Sequence, residues 1–257
     1  MVHEIMDAAW ADWYDLYFGT YEEDTEYFIR EAVQADGSVL EVGCGTGRLT
    51  IPLLQRGVEV VGFDPLPAML ERLQAKAAAA GVVPNVSCQS METFRSDERF
   101  ALILAPFRVF NHVLTQAAQR AALENIRRHL APGGRLILAT FVPDPELIAN
   151  ATNVLQYMST VGNPDTGRAV VCTQFNAEID VLNQVRTDVW VYEELDAEQR
   201  ITRKVHLPLR IRWVHPTEMG LLLELAGFNQ FQVYGGFAGE PLEESSREQV
   251  WIARAEA

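Results

Sequence analysis

The sequence of 257 residues predicts an α/β protein: a doubly wound, mostly parallel sheet into which an antiparallel β-meander is inserted. Three observations carry this expectation. Short apolar runs alternate with helical patterns five times between residues 39 and 141. Residue-by-residue alternation then takes over between 170 and 213, and helix, strand, loop and strand return after 214. A chain of this length suits one large domain with an insertion better than two independent folds.

Val39, Leu40, Glu41, Val42 and Gly43 form a β-rich run that meets glycines at once, and Leu49, Leu53 and Leu54 then recur at helical spacing. Val58 to Phe63 is the second strand, with Asp64 at its end, followed by a helix through Met69, Leu70, Leu73 and Ala77 that stops at Gly81. Val86 to Cys88 and Phe100 to Ala105 continue the alternation. The second of these is nearly all apolar, as a strand covered on both faces must be. A helix carrying Ala118, Leu123, Ile126 and Leu130 is expected to end at Pro132-Gly133-Gly134, ahead of the strand Leu136 to Phe141.

Val170 to Ile179, Val185 to Tyr192 and Ile201 to Trp213 then read as three meander strands separated by polar turns. In the last of them Ile201, Val205, Leu207, Leu209, Ile211 and Trp213 share one face, which must be buried on the main sheet, in a cleft or on a second subunit. Pro208 on the other face places that strand at an edge, or breaks it. The closing helix starts near Pro216, carries Met219, Leu222, Leu223 and Ala226, and is capped by Gly227. Phe231 to Tyr234 and Gln249 to Ala253 are the final strands.

A formal charge of −14 with no concentrated Lys/Arg stretch excludes nucleic acid as a substrate and favours a small molecule. No apolar run approaches the ~20 residues a membrane span needs, and Met1, Val2, His3 and Glu4 do not begin a secretion signal, so a cytoplasmic protein without membrane attachment is expected. Cys44, Cys88 and Cys172 are scattered and odd in number, which reads as reduced apolar filler; neither they nor His206 and His215 have metal-ligand spacing, so no metal is expected.

The central motif is Glu41-Val42-Gly43-Cys44-Gly45-Thr46-Gly47, between the first strand and the first helix. Glycines there permit positive φ and leave backbone N–H groups open to a ligand. Asp64 ends the next strand ~20 residues later, where a carboxylate can accept from both hydroxyls of a ribose. The spacing is G-x-G-x-G, with Arg48 where a dinucleotide fingerprint would have its third glycine, and no phosphate-loop pattern is present. NAD and ATP are both disfavoured on that ground.

Val39 to Gly47 resembles the first motif of class I S-adenosylmethionine-dependent methyltransferases. Asp64 with Pro65, Ala68 and Met69 resembles their second, and Leu130-Ala131-Pro132-Gly133-Gly134-Arg135-Leu136 resembles the stretch before their fifth strand. The resemblance implies a Rossmann-like sheet of six parallel strands and one antiparallel strand, with S-adenosylmethionine as cofactor and S-adenosylhomocysteine as product. It places Gly43, Cys44, Gly45 and Gly47 at the amino-acid moiety, Glu41 at its amino group and Asp64 at the ribose, with Pro65 and Met69 alongside. Ser90, Met91 and Glu92 would line the adenine, although family members usually have an acid where Ser90 stands. The family's frequent Asp at the start of the fourth strand is Ala101 here. Ala105 and Phe107, at the end of that strand, would sit at the cofactor's edge.

Methyl transfer needs alignment more than side-chain chemistry, apart from a base where the acceptor is an ammonium or a hydroxyl. His112, just beyond the fourth strand, is the candidate base and resembles in position a histidine of sugar-amine N-methyltransferases; a structural role is its alternative reading. Trp10, Trp13, Tyr14, Tyr17 and Tyr21 fall near one helical face. By resemblance to enzymes with an N-terminal helix over the cofactor, Tyr14 and Tyr17 are expected to line the active site under a movable lid, beside the plainer reading of a packed amphipathic helix. Lys204, His206, Arg210 and Arg212 share a polar strand face that either pairs with Asp188, Glu193 and Glu194 across the sheet or recognises an anionic substrate group.

The expected organisation is a helical lid over 1–34, a cofactor-binding core over 35–150, an antiparallel insertion over 151–213 and completion of the core over 214–257. An exposed meander face would favour a homodimer. The function expected is methyl transfer to nitrogen or oxygen of a small molecule. An NAD-dependent oxidoreductase or a non-catalytic cofactor-binding protein are the alternatives.

Overall fold

The computed structural model describes residues 8–145 and 154–254. Residues 1–7, the expected boundary at 150/151 and residues 255–257 lie outside the described residues.

The main sheet has seven strands in the order β10-β11-β5-β4-β1-β2-β3. They are β1 (Val39–Val42), β2 (Val60–Asp64), β3 (Asn85–Cys88), β4 (Phe100–Ala105), β5 (Leu130–Phe141), β10 (Gln230–Tyr234) and β11 (Glu248–Arg254). β1 runs parallel to β2 and β4, β2 to β3, and β4 to β5; β11 is antiparallel to both β5 and β10. Six strands therefore share a direction and one opposes them, as expected. The chain winds outward from β1 to β3 and then from β4 to β5, so a crevice opens at the carboxyl ends of β1 and β4, where the winding reverses.

The helices α2 (Thr25–Val33), α3 (Thr50–Gln55), α4 (Pro67–Ala79), α5 (Gln116–Arg128) and α6 (Pro216–Leu225) accompany this sheet. One apolar layer joins Leu40, Val42, Phe63 and Ile103 to Leu123 and Ile126 of α5 and Leu222 of α6. The other joins Val39, Leu102, Leu104 and Ile137 to Phe28 of α2 and Leu53 of α3. Each such side chain, fully buried, contributes about 1.5–3 kcal/mol, and this double covering is why β1 and β4 carry almost no polar residue.

The insertion is a four-stranded antiparallel sheet, β6 (Gln156–Gly162), β7 (Ala169–Asp180), β8 (Val185–Leu195) and β9 (Ile201–Arg212), paired in sequence order. The sequence predicts three of these. β6 is the fourth, and its mostly uncovered residues give no alternating signal. β9 is an edge strand, as Pro208 implies, and the Trp10 indole Nε1 donates to the Pro208 carbonyl at 3.2 Å. Its apolar face is buried within the same chain: Leu207 meets Trp10 and Trp13, while Ile211 and Trp213 meet Phe141 of β5. Covering it requires no second subunit.

Four local expectations change. α5 stops at Arg128, and Pro132-Gly133-Gly134 lies inside β5, where the pairing of β4 with β5 slips between Phe100 and Leu102. At Gly134 an added Cβ would meet the Phe100 carbonyl oxygen at 2.8 Å, so the glycine serves close strand approach there, and a helix stop is not its role. Ile201 is exposed because the register between β8 and β9 shifts at Glu194/Leu195. Arg212 is no surface cation: it is buried, bonding Glu218 and Gln119 at 2.6 Å each. Tyr21 leaves the helical face because α1 (Ala8–Tyr17) ends in a 3-10 turn over Phe18–Thr20.

α1 is wedged between the inserted sheet and α4, with Trp10 and Trp13 only 1% exposed against Val170, Cys172, Trp190, Tyr192, Leu207 and Met69. Where the insertion leaves and rejoins the core, a single buried amide spans both points: Gln249 Nε2 donates to the carbonyls of Phe141 and Val214, each at 3.0 Å. Among the described residues, no helix is long and apolar enough to cross a membrane.

Candidate active site

The glycine turn leaves β1 at the crevice. Gly43, Gly45 and Gly47 have φ of +68°, +51° and +88°, in the region that side chains disfavour. A Cβ at Gly43 would collide with Val109, whereas at Gly45 nothing lies closer than the Gly43 carbonyl oxygen at 4.0 Å. The bend at Gly45 is therefore open, and it is the point where a ligand can meet bare backbone. Cys44 points away, packing on Leu70, Leu73 and Ala77 beneath the loop.

Two carboxylates flank this bend. Asp64 accepts from Gly45 N at 3.0 Å and Leu66 N at 2.9 Å, so each oxygen holds one backbone N–H and keeps further acceptor capacity. Burial nonetheless raises its pKa to about 6, the two N–H bonds opposing the shift. Glu41, 2% exposed, accepts from Thr50 Oγ1 at 2.6 Å, and burial lifts its pKa to about 7. A buried acid with one neutral partner is poised to ionise when a cation arrives. The open bend, the Asp64 oxygens and the Glu41 carboxyl together fit a nucleoside that carries a free α-amino acid group.

Pro65 and Met69 follow Asp64; Met69 is buried with Trp10 and Trp13. Ser90 Oγ lies 2.9 Å from Thr93 Oγ1, Glu92 is half-buried, and Met91 turns into the core, where its carbonyl accepts from Asn125. Ala105 is buried at the end of β4. Phe107 and Arg108 both have positive φ, +49° and +63°, a conformation that costs on the order of 1–3 kcal/mol per residue outside glycine. Contacts hold it in place: the Arg48 guanidinium lies 4.6 Å from the Phe107 ring centroid, Tyr21 and Phe18 pack on the same ring, and Arg108 pairs with Glu248.

His112 closes the 3-10 turn Val109–His112. Its ring bonds the backbone carbonyl of Arg210 in β9, and burial lowers its pKa to about 4. Tyr14 lies deep enough among Arg48, Asp64, Asp15 and Asp24 to feel all four charges, and desolvation raises its pKa strongly. Tyr17 packs 4.8 Å from Trp190, with Phe18 between that ring and Phe107. The structure thus gathers Glu41, Gly45, Asp64, Tyr14 and Phe107 around one crevice; Tyr17 stands one ring further out, and His112 stands against β9.

Residues 39–134 match the methyltransferase domain family. An uncharacterized methyltransferase of Geobacillus kaustophilus is 30% identical over 149 residues, 54% of this chain and 67% of that protein. The chain belongs to the methyltransferases. A ubiquinone biosynthesis O-methyltransferase of Methylobacterium nodulans is 37% identical to this methyltransferase over 105 residues, 40% of each protein. The chain thus spans well under half the length of such relatives. The CcbJ methyltransferase structure from Streptomyces caelestis superposes with a TM-score of 0.77 at 28% identity, covering 96% of both chains.

Several groups of this methyltransferase site escape sequence reasoning. Arg48 marks only a missing glycine in the sequence, yet its guanidinium clasps Asp24 at 2.5 and 2.9 Å and reaches the Tyr21 carbonyl and Thr25 Oγ1. Asp15 on α1 accepts from Thr46 Oγ1 at 2.6 Å and from Lys76 at 2.9 Å. Both carboxylates lie too far from the loop in sequence for spacing to connect them.

Proposed function

We propose that this methyltransferase transfers a methyl group from S-adenosylmethionine to a nitrogen or oxygen of a small-molecule acceptor, leaving S-adenosylhomocysteine. The observation that carries this is the open Gly45 bend between Asp64 and a buried Glu41 that titrates near neutrality. Glu41 holds the amino group, Asp64 the ribose hydroxyls, and Gly43, Gly45 and Gly47 the amino-acid backbone; the loop at Ser90, Met91 and Glu92 faces the adenine. When bound, S-adenosylmethionine supplies an electrophilic methyl group on a sulfonium. Tyr14, Tyr17 and Phe107 exclude water from the crevice and orient the acceptor.

For an ammonium or hydroxyl acceptor His112 is the proposed base, although it stands against β9, through the ring nitrogen that does not bond the Arg210 carbonyl. A pKa near 4 keeps that lone pair available at neutral pH, but makes the ring a weak base. It therefore suits a proton that becomes strongly acidic as the new bond forms. The division into a lid, a two-part core and an inserted roof follows the same logic: cofactor below, acceptor above. The net charge of −14 supports a small molecule as acceptor over nucleic acid.

Calorimetry with S-adenosylmethionine, S-adenosylhomocysteine and NAD tests the cofactor, and a labelled-methyl screen over amines, hydroxyls and carboxylates tests the transfer. Binding of NAD in place of the sulfonium nucleoside would overturn the reading. Unchanged turnover across pH in His112→Gln would remove the histidine from the mechanism.

A further inference from the structure

The inward face of β8 carries polar groups that the fold leaves incompletely used. Arg186, Asp188 and Trp190 alternate along the strand, so their side chains share one face at about 7 Å spacing. Asp188 is 3% exposed and accepts from Asn176 at 2.9 Å, with Gln174 as a further partner. Arg186 Nε pairs with Asp188 Oδ2 at 3.1 Å. Trp190 is 6% exposed, and its Nε1 is buried without a partner.

This row is placed at the crevice. Trp190 packs on Tyr17 and Phe18 at 4.8 Å, and Phe18 packs in turn on Phe107. At the other end the Arg186 guanidinium lies 5.3 Å from the ring centroid of Phe141, at the carboxyl end of β5, and Arg108 approaches the same ring at 5.6 Å. A largely buried ion pair such as Arg186–Asp188 is weak evidence for a stabilising role, because desolvation offsets much of its attraction. Trp190 Nε1 has no structural explanation at all.

We propose that Arg186, Asp188 and Trp190 form the acceptor-recognition face of this enzyme, a donor–acceptor–donor row that binds a polyhydroxylated small molecule. Hydroxyls match it because each both donates and accepts: one donates to Asp188 while its neighbours accept from Arg186 and Trp190. An amine on the same molecule substitutes for the hydroxyl at Asp188. The assignment rests on the methyltransferase reading above.

The test uses the full chain loaded with S-adenosylhomocysteine and titrated by calorimetry with D-glucose, D-glucosamine, cyclohexanol and cyclohexylamine. The hydroxylated pair is expected to bind, and the cyclohexyl pair to bind at least tenfold more weakly. Asp188→Asn keeps the shape and the Asn176 contact but takes the counter-charge from Arg186, so Tm should fall; it should weaken the hydroxylated probes at least tenfold while S-adenosylhomocysteine affinity stays unchanged. Trp190→Phe should weaken the same probes with cofactor affinity retained. Equal binding of both pairs, no binding of the hydroxylated pair, or variants indistinguishable from wild type would overturn the row's role with the cofactor reading intact. Failure of the wild type to bind S-adenosylhomocysteine would overturn both.

Discussion

At the scale of single residues, Gly45 separates folding from binding. An alanine there must hold φ near +51°, which costs about 1 kcal/mol, but its Cβ meets open space. Gly45→Ala is therefore expected to fold with Tm lowered by only a few degrees while S-adenosylmethionine affinity, measured by calorimetry, falls at least tenfold. A second residue-scale prediction follows from Glu41. Its folded pKa, about 7, exceeds the ordinary 4.5, so the folded chain holds an extra proton between those values, and the ligand-free protein loses stability as pH rises through this window. Binding a cationic amino group requires the ionised form. Affinity should fall about tenfold per pH unit below 7, with proton release visible as buffer-dependent binding heat. Glu41→Gln should raise the Tm of the ligand-free protein at pH 8, by on the order of 1–3 kcal/mol in stability, and abolish binding.

At the scale of elements, the join between α1, α2 and the glycine loop is electrostatic. Arg48 is 11% exposed and Asp24 1%, so Arg48→Met strands a buried carboxylate at a cost of about 3–5 kcal/mol. Differential scanning calorimetry should register a Tm drop on the order of 10 °C, and Asp24→Asn in the same chain should recover part of it. This join is also where the sequence is least legible. The strands β1, β2, β4 and β5 can be read directly, because a doubly covered sheet demands apolar runs, and Gly43 to Gly47 with Asp64 can be read because their chemistry is local. Asp15 and Asp24 cannot: an acid in a chain with 35 of them is unremarkable until the fold buries it. β6 is hidden for the opposite reason, since an exposed edge strand needs no pattern.

At the scale of the molecule, α1 fills the space between the inserted sheet and α4 of the core. Deleting residues 1–24 would uncover Val170, Cys172, Trp190, Tyr192 and Leu207 together. Such a patch promotes association, so the truncated chain should bind a hydrophobic dye and elute as aggregates in size exclusion with light scattering. A truncated chain that stays compact and monodisperse would show that the wedge is dispensable. The opposite shifts of His112 and Glu41 also act on the whole chain. The histidine, about 4 when folded against 6.5, withdraws stability as pH falls from 6.5 through 4, the window in which protonation relieves the cost of burying Glu41.

The clasp that Gln249 makes on Phe141 and Val214 turns the roof into an exchangeable cassette. Its two seams meet at one amide on β11, a strand that belongs to the floor, so a foreign roof grafted between those seams inherits an intact cofactor platform. On the proposed function, exchanging that cassette should change the acceptor while the cofactor contacts stay in place.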